Sequence, residues 1–188
     1  MTITLPQDRM PEAEVSLLLA FYLLNQPHSR GVAEVAIDGA QVRVGENEIF
    51  PITSFLSDFG WTQVDQQGQN DWQGLYEKDE TRLRIHATPG VGDVVTTVGT
   101  TRVRAESKGG PLVRRPGGRE LPILRGALGQ LLTVEQVEDG DVMVAAVPYS
   151  PKFKSLADDW RYRPLVADSQ IEIVLVNRDD GNVEGLAF

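Results

Sequence analysis

Hydrophobic and polar positions alternate with changing period along the chain, and the changes mark its elements. Apolar residues run almost without interruption to Leu24 behind Pro11, Glu12 and Glu14. A proline at the first helical position with acids in the first turn predicts a helix there. Pro27 and Gly31 end it. Val32 to Ile37, Asp38-Gly39 and Ala40 to Val44 read as a hairpin, because Asp-Gly supplies the positive backbone angles of a tight turn. Pro51 to Phe59 reads as a short helix closed by Gly60, and Trp61–Val64 and Trp72–Tyr76 as two strands. Arg82 to Ala87 alternates with period two, as a half-buried strand does. Asp93 to Val98 is β-branched and apolar, and Gly99-Thr100 connects it tightly to a further strand, Thr101 to Ser107. A helix from about Glu120 to Gln136 carries Leu124, Leu128 and Leu131 on one face. Strand Val142–Val147 follows, then a helix capped by Ser150-Pro151 and ending before Pro164. Strands Gln170–Val176 and Val183–Leu186 close the chain. Alternating strands and helices in this order predict an α/β fold with a mixed central sheet flanked by helices.

Length and composition narrow the chemistry. At 188 residues, 41% hydrophobic and 24% charged, the chain suits one globular domain spanning 1–188. The helix and hairpin of about 11–76 read as an N-terminal elaboration before the core strands. No cysteine is present, which excludes thiolate metal sites and cysteine nucleophiles, and only His28 and His86 offer imidazole. A metal held here would take oxygen ligands, favouring Mg²⁺ or Mn²⁺. The Val15–Leu24 run is too short to span a bilayer and lacks a preceding basic region, so no membrane association is expected and the cytoplasm is the expected location.

The formal charge of -9 argues against nucleic acid, but its distribution does not. Between Arg102 and Arg125 stand seven basic residues (Arg102, Arg104, Lys108, Arg114, Arg115, Arg119, Arg125) against two acids, a local +5 on a remainder of −14. Such a segment is either a solvated loop or a phosphate-binding one, with Arg114, Arg115, Arg119 and Arg125 as the candidate contacts.

The candidate chemistry lies just before it. Glu106 and Lys108 are two residues apart on a strand and so project from one face. With a tight turn at Gly99-Thr100, the start of one strand lies beside the end of the next, which brings Asp93 to that pair. Two carboxylates beside an ammonium suit a hydrated divalent cation, a water activated by it and a phosphate under attack. The glycines at 109 and 110 are expected to let a phosphate backbone approach closely. The alternative is a same-face ion pair at a sheet edge.

The run Pro89-Gly90-Val91-Gly92-Asp93-Val94-Val95, followed by Arg102-Val103-Arg104-Ala105-Glu106-Ser107-Lys108-Gly109-Gly110, resembles the PD-(D/E)xK, or restriction-endonuclease-like, nuclease superfamily. The resemblance covers roughly residues 82–147 and implies an αβββαβ core. It implies Asp93, Glu106 and the Ser107 carbonyl as metal ligands and Lys108 as the catalytic lysine. It also implies a helix acid, Glu12 or Glu14, with Glu14 preferred, and Gln130 as auxiliary groups. The proline stands four residues before Asp93 instead of adjacent, and Val134 stands where an aromatic often follows the helix glutamine. The implied activity is a Mg²⁺-dependent nuclease acting on nucleic acid, DNA in the first instance. The competing expectation is a catalytically inactive subunit on the same fold, binding nucleic acid or meeting a protein partner through its acidic surface.

Overall fold

The computed structural model of the protein describes residues 5–29, 31–88, 90, 92–113 and 118–186. In chain order the elements are β1 (Arg9–Met10), α1 (Glu12–Leu24), β2 (Val32–Ala36), α2 (Gly39–Val42), β3 (Arg43–Val44), β4 (Asn47–Glu48), α3 (Ile52–Asp58), β5 (Thr62–Gln66), β6 (Gly74–Lys78) and β7 (Thr81–His86). They continue with β8 (Val94–Val98), β9 (Thr101–Ser107), β10 (Gly110–Pro111), α4 (Glu120–Leu131), β11 (Val142–Pro148), α5 (Pro151–Trp160), α6 (Pro164–Asp168), β12 (Ile171–Val176) and β13 (Val183–Glu184). Nine strands form one mixed sheet in the order β13-β12-β11-β9-β8-β2-β7-β6-β5. Two small ribbons, β1–β10 and β3–β4, stand outside it.

Helices cover both faces, so the fold is mixed α/β. Alternate residues of the central strands feed two cores. Val103, Ala105, Val144, Ala146 and Val174 pack under α1, while Met143, Ala145, Val147 and Ile173 pack under α4 and α5. Helix α1 is apolar on nearly every side, because it lies between the sheet and a second layer. In that layer, Phe21 stacks on Trp61 with centroids 5.3 Å apart and is tilted against Phe59 at the same distance. Trp61 and Trp72 are core residues, as their spacing suggests.

Two expectations need correction. Asp38-Gly39 is not a hairpin turn. The Asp38 carboxylate instead accepts from the Ala40 amide at 2.9 Å and caps α2. An aspartate before glycine serves either purpose, and here the chain leaves the sheet. Second, the strand beside β8 is β2, which lies within the stretch read as an elaboration before the core strands. Strand β2 pairs antiparallel with β8 through Glu34–Val95 and Val35–Val94, and β7 lies one place further out, parallel to β2. The segment 32–36 is therefore interior to the sheet, and α2 to β7 lie between β2 and β8 along the chain. Among the described residues no helix is long and apolar enough to cross a membrane.

Candidate functional site

The hairpin β8–β9 sets the register that matters. Its tight turn, with Gly99 at φ 62°, pairs Val98 with Thr101 and Val94 with Ala105. One step further, Asp93 falls opposite Glu106. Its backbone is pinned from both sides: the Asp93 amide donates to Ala105 O at 2.8 Å, and its carbonyl accepts from Ala36 N at 2.8 Å. Gly92 permits this approach, since a Cβ there would lie 2.9 Å from the Ala105 carbonyl oxygen.

Around that register three acids meet one amine. Lys108 Nζ donates to Glu106 Oε1 at 2.7 Å, as the shared face of residues two apart requires, and lies 3.5 Å from Glu12 Oε1. Asp93 Oδ2 accepts from the Ser107 amide at 2.8 Å. Ser107 holds its hydroxyl buried on the opposite face without a partner. Gln41 Nε2 on α2 donates to Glu12 Oε1 at 2.8 Å and fixes that carboxylate.

The electrostatics follow from burial and from the excess of acids. Desolvation first, then repulsion from Glu106, push the Asp93 carboxyl up to about 7; Ser107 and Lys108 oppose the rise and Glu12 adds to it. Burial works against the charge on Lys108, but its bond to Glu106 and the charges of Glu12, Glu106 and Asp93 hold its pKa above the ordinary lysine value. Three carboxylates and one ammonium leave an excess of negative charge in a partly desolvated place.

Glu12 reaches this site because of the glycines after Lys108. β10 pairs with β1, Met10 with Gly110 and Arg9 with Pro111, so the chain entering α1 lies against the end of β9. A Cβ at Gly109 would come within 2.6 Å of Glu12 N and 2.8 Å of Met10 O; one at Gly110 would meet the Phe153 ring at 2.7 Å. The glycines thus admit the protein's own N-terminal segment and Phe153, which corrects the expectation that they clear space for a phosphate backbone.

The other expected residues divide. Glu14 is turned away: it forms a two-pronged ion pair with Arg178, whose Nε donates to Glu14 Oε1 at 2.6 Å, and it is not brought to the site. Gln130 is exposed near the end of α4, about 15 Å along the helix from its first turn, and its carbonyl accepts from Thr133. Arg125 lies over the Trp160 ring, 5.9 Å from its centroid. Arg119 stands at the start of α4, on the wall of a cavity that also touches Glu12 and Gly109. Arg114 and Arg115 lie outside the described residues. The basic segment is not one continuous charged surface: Arg104 is buried against Asp141, Nε to Oδ2 3.1 Å, and Arg102 faces Glu138.

Sequence reasoning missed Gln41 and Arg178, which act through contacts 29 and 164 residues distant and leave no local pattern. Comparison with family models, curated proteins and solved structures finds no match.

Proposed function

We infer that the protein is a metal-dependent phosphodiesterase of the PD-(D/E)xK nuclease type, acting on nucleic acid, DNA in the first instance. The observation that carries this reading is the convergence of Asp93, Glu106 and Glu12 around Lys108, with burial first and then repulsion from Glu106 lifting Asp93 to about 7. Structural sites rarely gather like charges at a strand end; catalytic sites do so because a ligand relieves the repulsion. The succession α1, β2, β8, β9, α4, β11 supports it. With β2–β8 and β8–β9 antiparallel and β9–β11 parallel, this is an αβββαβ order carrying a long insertion after its first strand.

The residues fit a hard divalent cation in donor chemistry. Asp93 and Glu106 would hold it, with Ser107 O as a further oxygen candidate, and Glu12 replaces Glu14 as the helix acid. Bound Mg²⁺ or Mn²⁺ supplies charge neutralisation on the phosphate and a more acidic water. The chain's own part is positioning. Ser107 N and the two backbone bonds orient Asp93, while Lys108 presents an ammonium that steadies the attacking water and the charge developing on phosphate oxygens.

One observation favours the inactive-subunit reading. Lys108 Nζ already satisfies Glu106 at 2.7 Å, so that carboxylate is engaged without a cation. Incubation of the full chain with single- and double-stranded DNA and RNA, with Mg²⁺, Mn²⁺ or chelator, decides between them. Cation-dependent cleavage by the wild type and its loss in Lys108→Ala and Asp93→Asn are expected, with folding retained. No cleavage of any substrate, or full activity in both variants, removes the enzyme.

A further inference from the structure

We propose that the cavity at the start of α4 is a guanine-recognition pocket in which the Glu120 carboxylate reads the base. The cavity of about 680 Å³ is large enough for a nucleotide, and it is walled by Pro11, Glu12, Gly109, Arg119, Glu120 and Ile123, among others. Glu12 and Gly109 belong equally to the candidate active site, so an occupant sits next to the reacting position. That adjacency rests on the nuclease reading; the pocket's binding chemistry does not.

Glu120 is the informative wall. It is only 2% exposed, yet its carboxylate has no hydrogen-bond or ion-pair partner among the described residues. A carboxylate so shielded by the protein, with the cavity as its outlet and no partner drawn to it, is an acceptor open to a ligand that enters there. Its place in the first turn of α4 offsets part of the cost of burial, since the helix N-terminus favours negative charge, and its acceptor lone pairs stay unused. The group that such a carboxylate selects is one with two adjacent N–H donors on a planar edge.

Guanine alone among the DNA bases has that edge, through N1–H and its exocyclic N2 amine. Adenine and cytosine place an acceptor nitrogen beside their amino group, and the thymine N–H lies between two carbonyls; each brings a lone pair against the carboxylate. Proline and isoleucine walls accept the faces of a ring, and Arg119 on the same wall is placed for the attached phosphate. A guanidinium from an arginine-bearing peptide shares the two-donor edge. It has no use for Arg119 or for a pocket that shares Glu12 and Gly109 with the candidate site, and the observations favour the base.

The test is an NMR titration of the full wild-type chain with 2′-deoxyguanosine, 2′-deoxyadenosine, 2′-deoxycytidine and thymidine, none of which can be cleaved. Deoxyguanosine is expected to bind about ten-fold or more tightly than the other three. Glu120→Gln should abolish that preference, and Ile123→Trp, which fills the cavity, should abolish binding; melting curves verify that both are folded. Equal affinity for the four nucleosides, or an unchanged preference in Glu120→Gln, overturns the proposal. So does tighter binding of N-acetyl-arginine methylamide than of deoxyguanosine. Failure of the nuclease reading registers only in the cleavage assay, so the two failures are distinguishable.

Discussion

Glutamates 12 and 14 are two residues apart on α1, and the structure assigns them opposite duties that one pair of substitutions separates. Glu14 is fully buried, and its carboxylate is held by Arg178, whose guanidinium also donates to Pro6 O at 2.6 Å and Arg9 O at 2.9 Å. Burial raises the Glu14 pKa and Arg178 pulls it back. Replacing Arg178 by Ala strands a buried carboxylate and frees the N-terminal segment from two charge-assisted bonds. Breaking such a pair from one side typically destabilises by about 3–5 kcal/mol. In a chain of this size that is a fall in Tm on the order of 10 °C. Glu14→Gln, which keeps the shape, should lose less. The raised Glu14 pKa fixes the sign: stability associated with it is fully present at low pH and declines as pH rises through the folded pKa, more steeply in Arg178→Ala. Urea denaturation of the wild type, Arg178→Ala, Glu14→Gln and Glu12→Gln gives the ranking. A loss under about 1 kcal/mol in Arg178→Ala would show the pair to be dispensable. Cleavage assays on the same proteins should find Glu14→Gln active and Glu12→Gln impaired; the reverse would restore Glu14 to the site.

Asp93, raised to about 7 chiefly by burial and then by Glu106, makes the metal-free protein lose stability as pH climbs from about 4 to about 7, because the folded state holds that proton longer than the unfolded one. Asp93→Asn should flatten this decline, measured by urea titration at pH 5 and pH 8, and parallel slopes in both proteins would contradict it. Gly109→Ala forces a Cβ to within 2.6 Å and 2.8 Å of backbone atoms and should be destabilising by about 1–3 kcal/mol, whereas Gly126→Ala, in open space on α4, should stabilise by about 0.5–1 kcal/mol. Thermal melts of the two variants check that contrast, and a silent Gly109→Ala would mean that β1 and β10 separate easily. Lys108→Met removes the ammonium that competes for Glu106 and Glu12, so calorimetry should find Mg²⁺ bound more tightly by an inactive variant; weaker binding would mean that the lysine helps to shape the site.

What the sequence made legible was local. Asp93, Glu106 and Lys108 are related through one two-residue turn, and counting outward from Gly99-Thr100 is enough to place them on neighbouring strands with a shared face. The choice of β2 over β7 as the partner of β8 was not legible, since both are short strands with buried residues at alternate positions, and pairing between distant strands leaves no periodic signature. Asp38-Gly39 failed for a different reason: the same dipeptide closes a hairpin or caps a helix, and only the route of the chain decides. Glutamates 12 and 14 point about 200° apart around a helix, so one of them had to face away from any given site, but nothing local says which. Arg178 decides it from the far end of the chain.

Without a cation, the site is balanced internally by Lys108. Its ammonium bridges Glu106 and Glu12, while burial first and then repulsion from Glu106 push the Asp93 carboxyl up to about 7. The same four groups are coupled through three separate segments: the β8–β9 hairpin, the β1–β10 ribbon that seats α1, and α2, which supplies Gln41. A cation held by Asp93 and Glu106, as proposed, would compete with Lys108 for one of its two acids and would offset the burial and repulsion that raise the Asp93 pKa. On that reading, metal binding, ionisation of Asp93 and release of the lysine from Glu106 would be linked equilibria. A change at Glu12 or Gln41, neither of which belongs to the D…ExK pattern, would then shift all of them together.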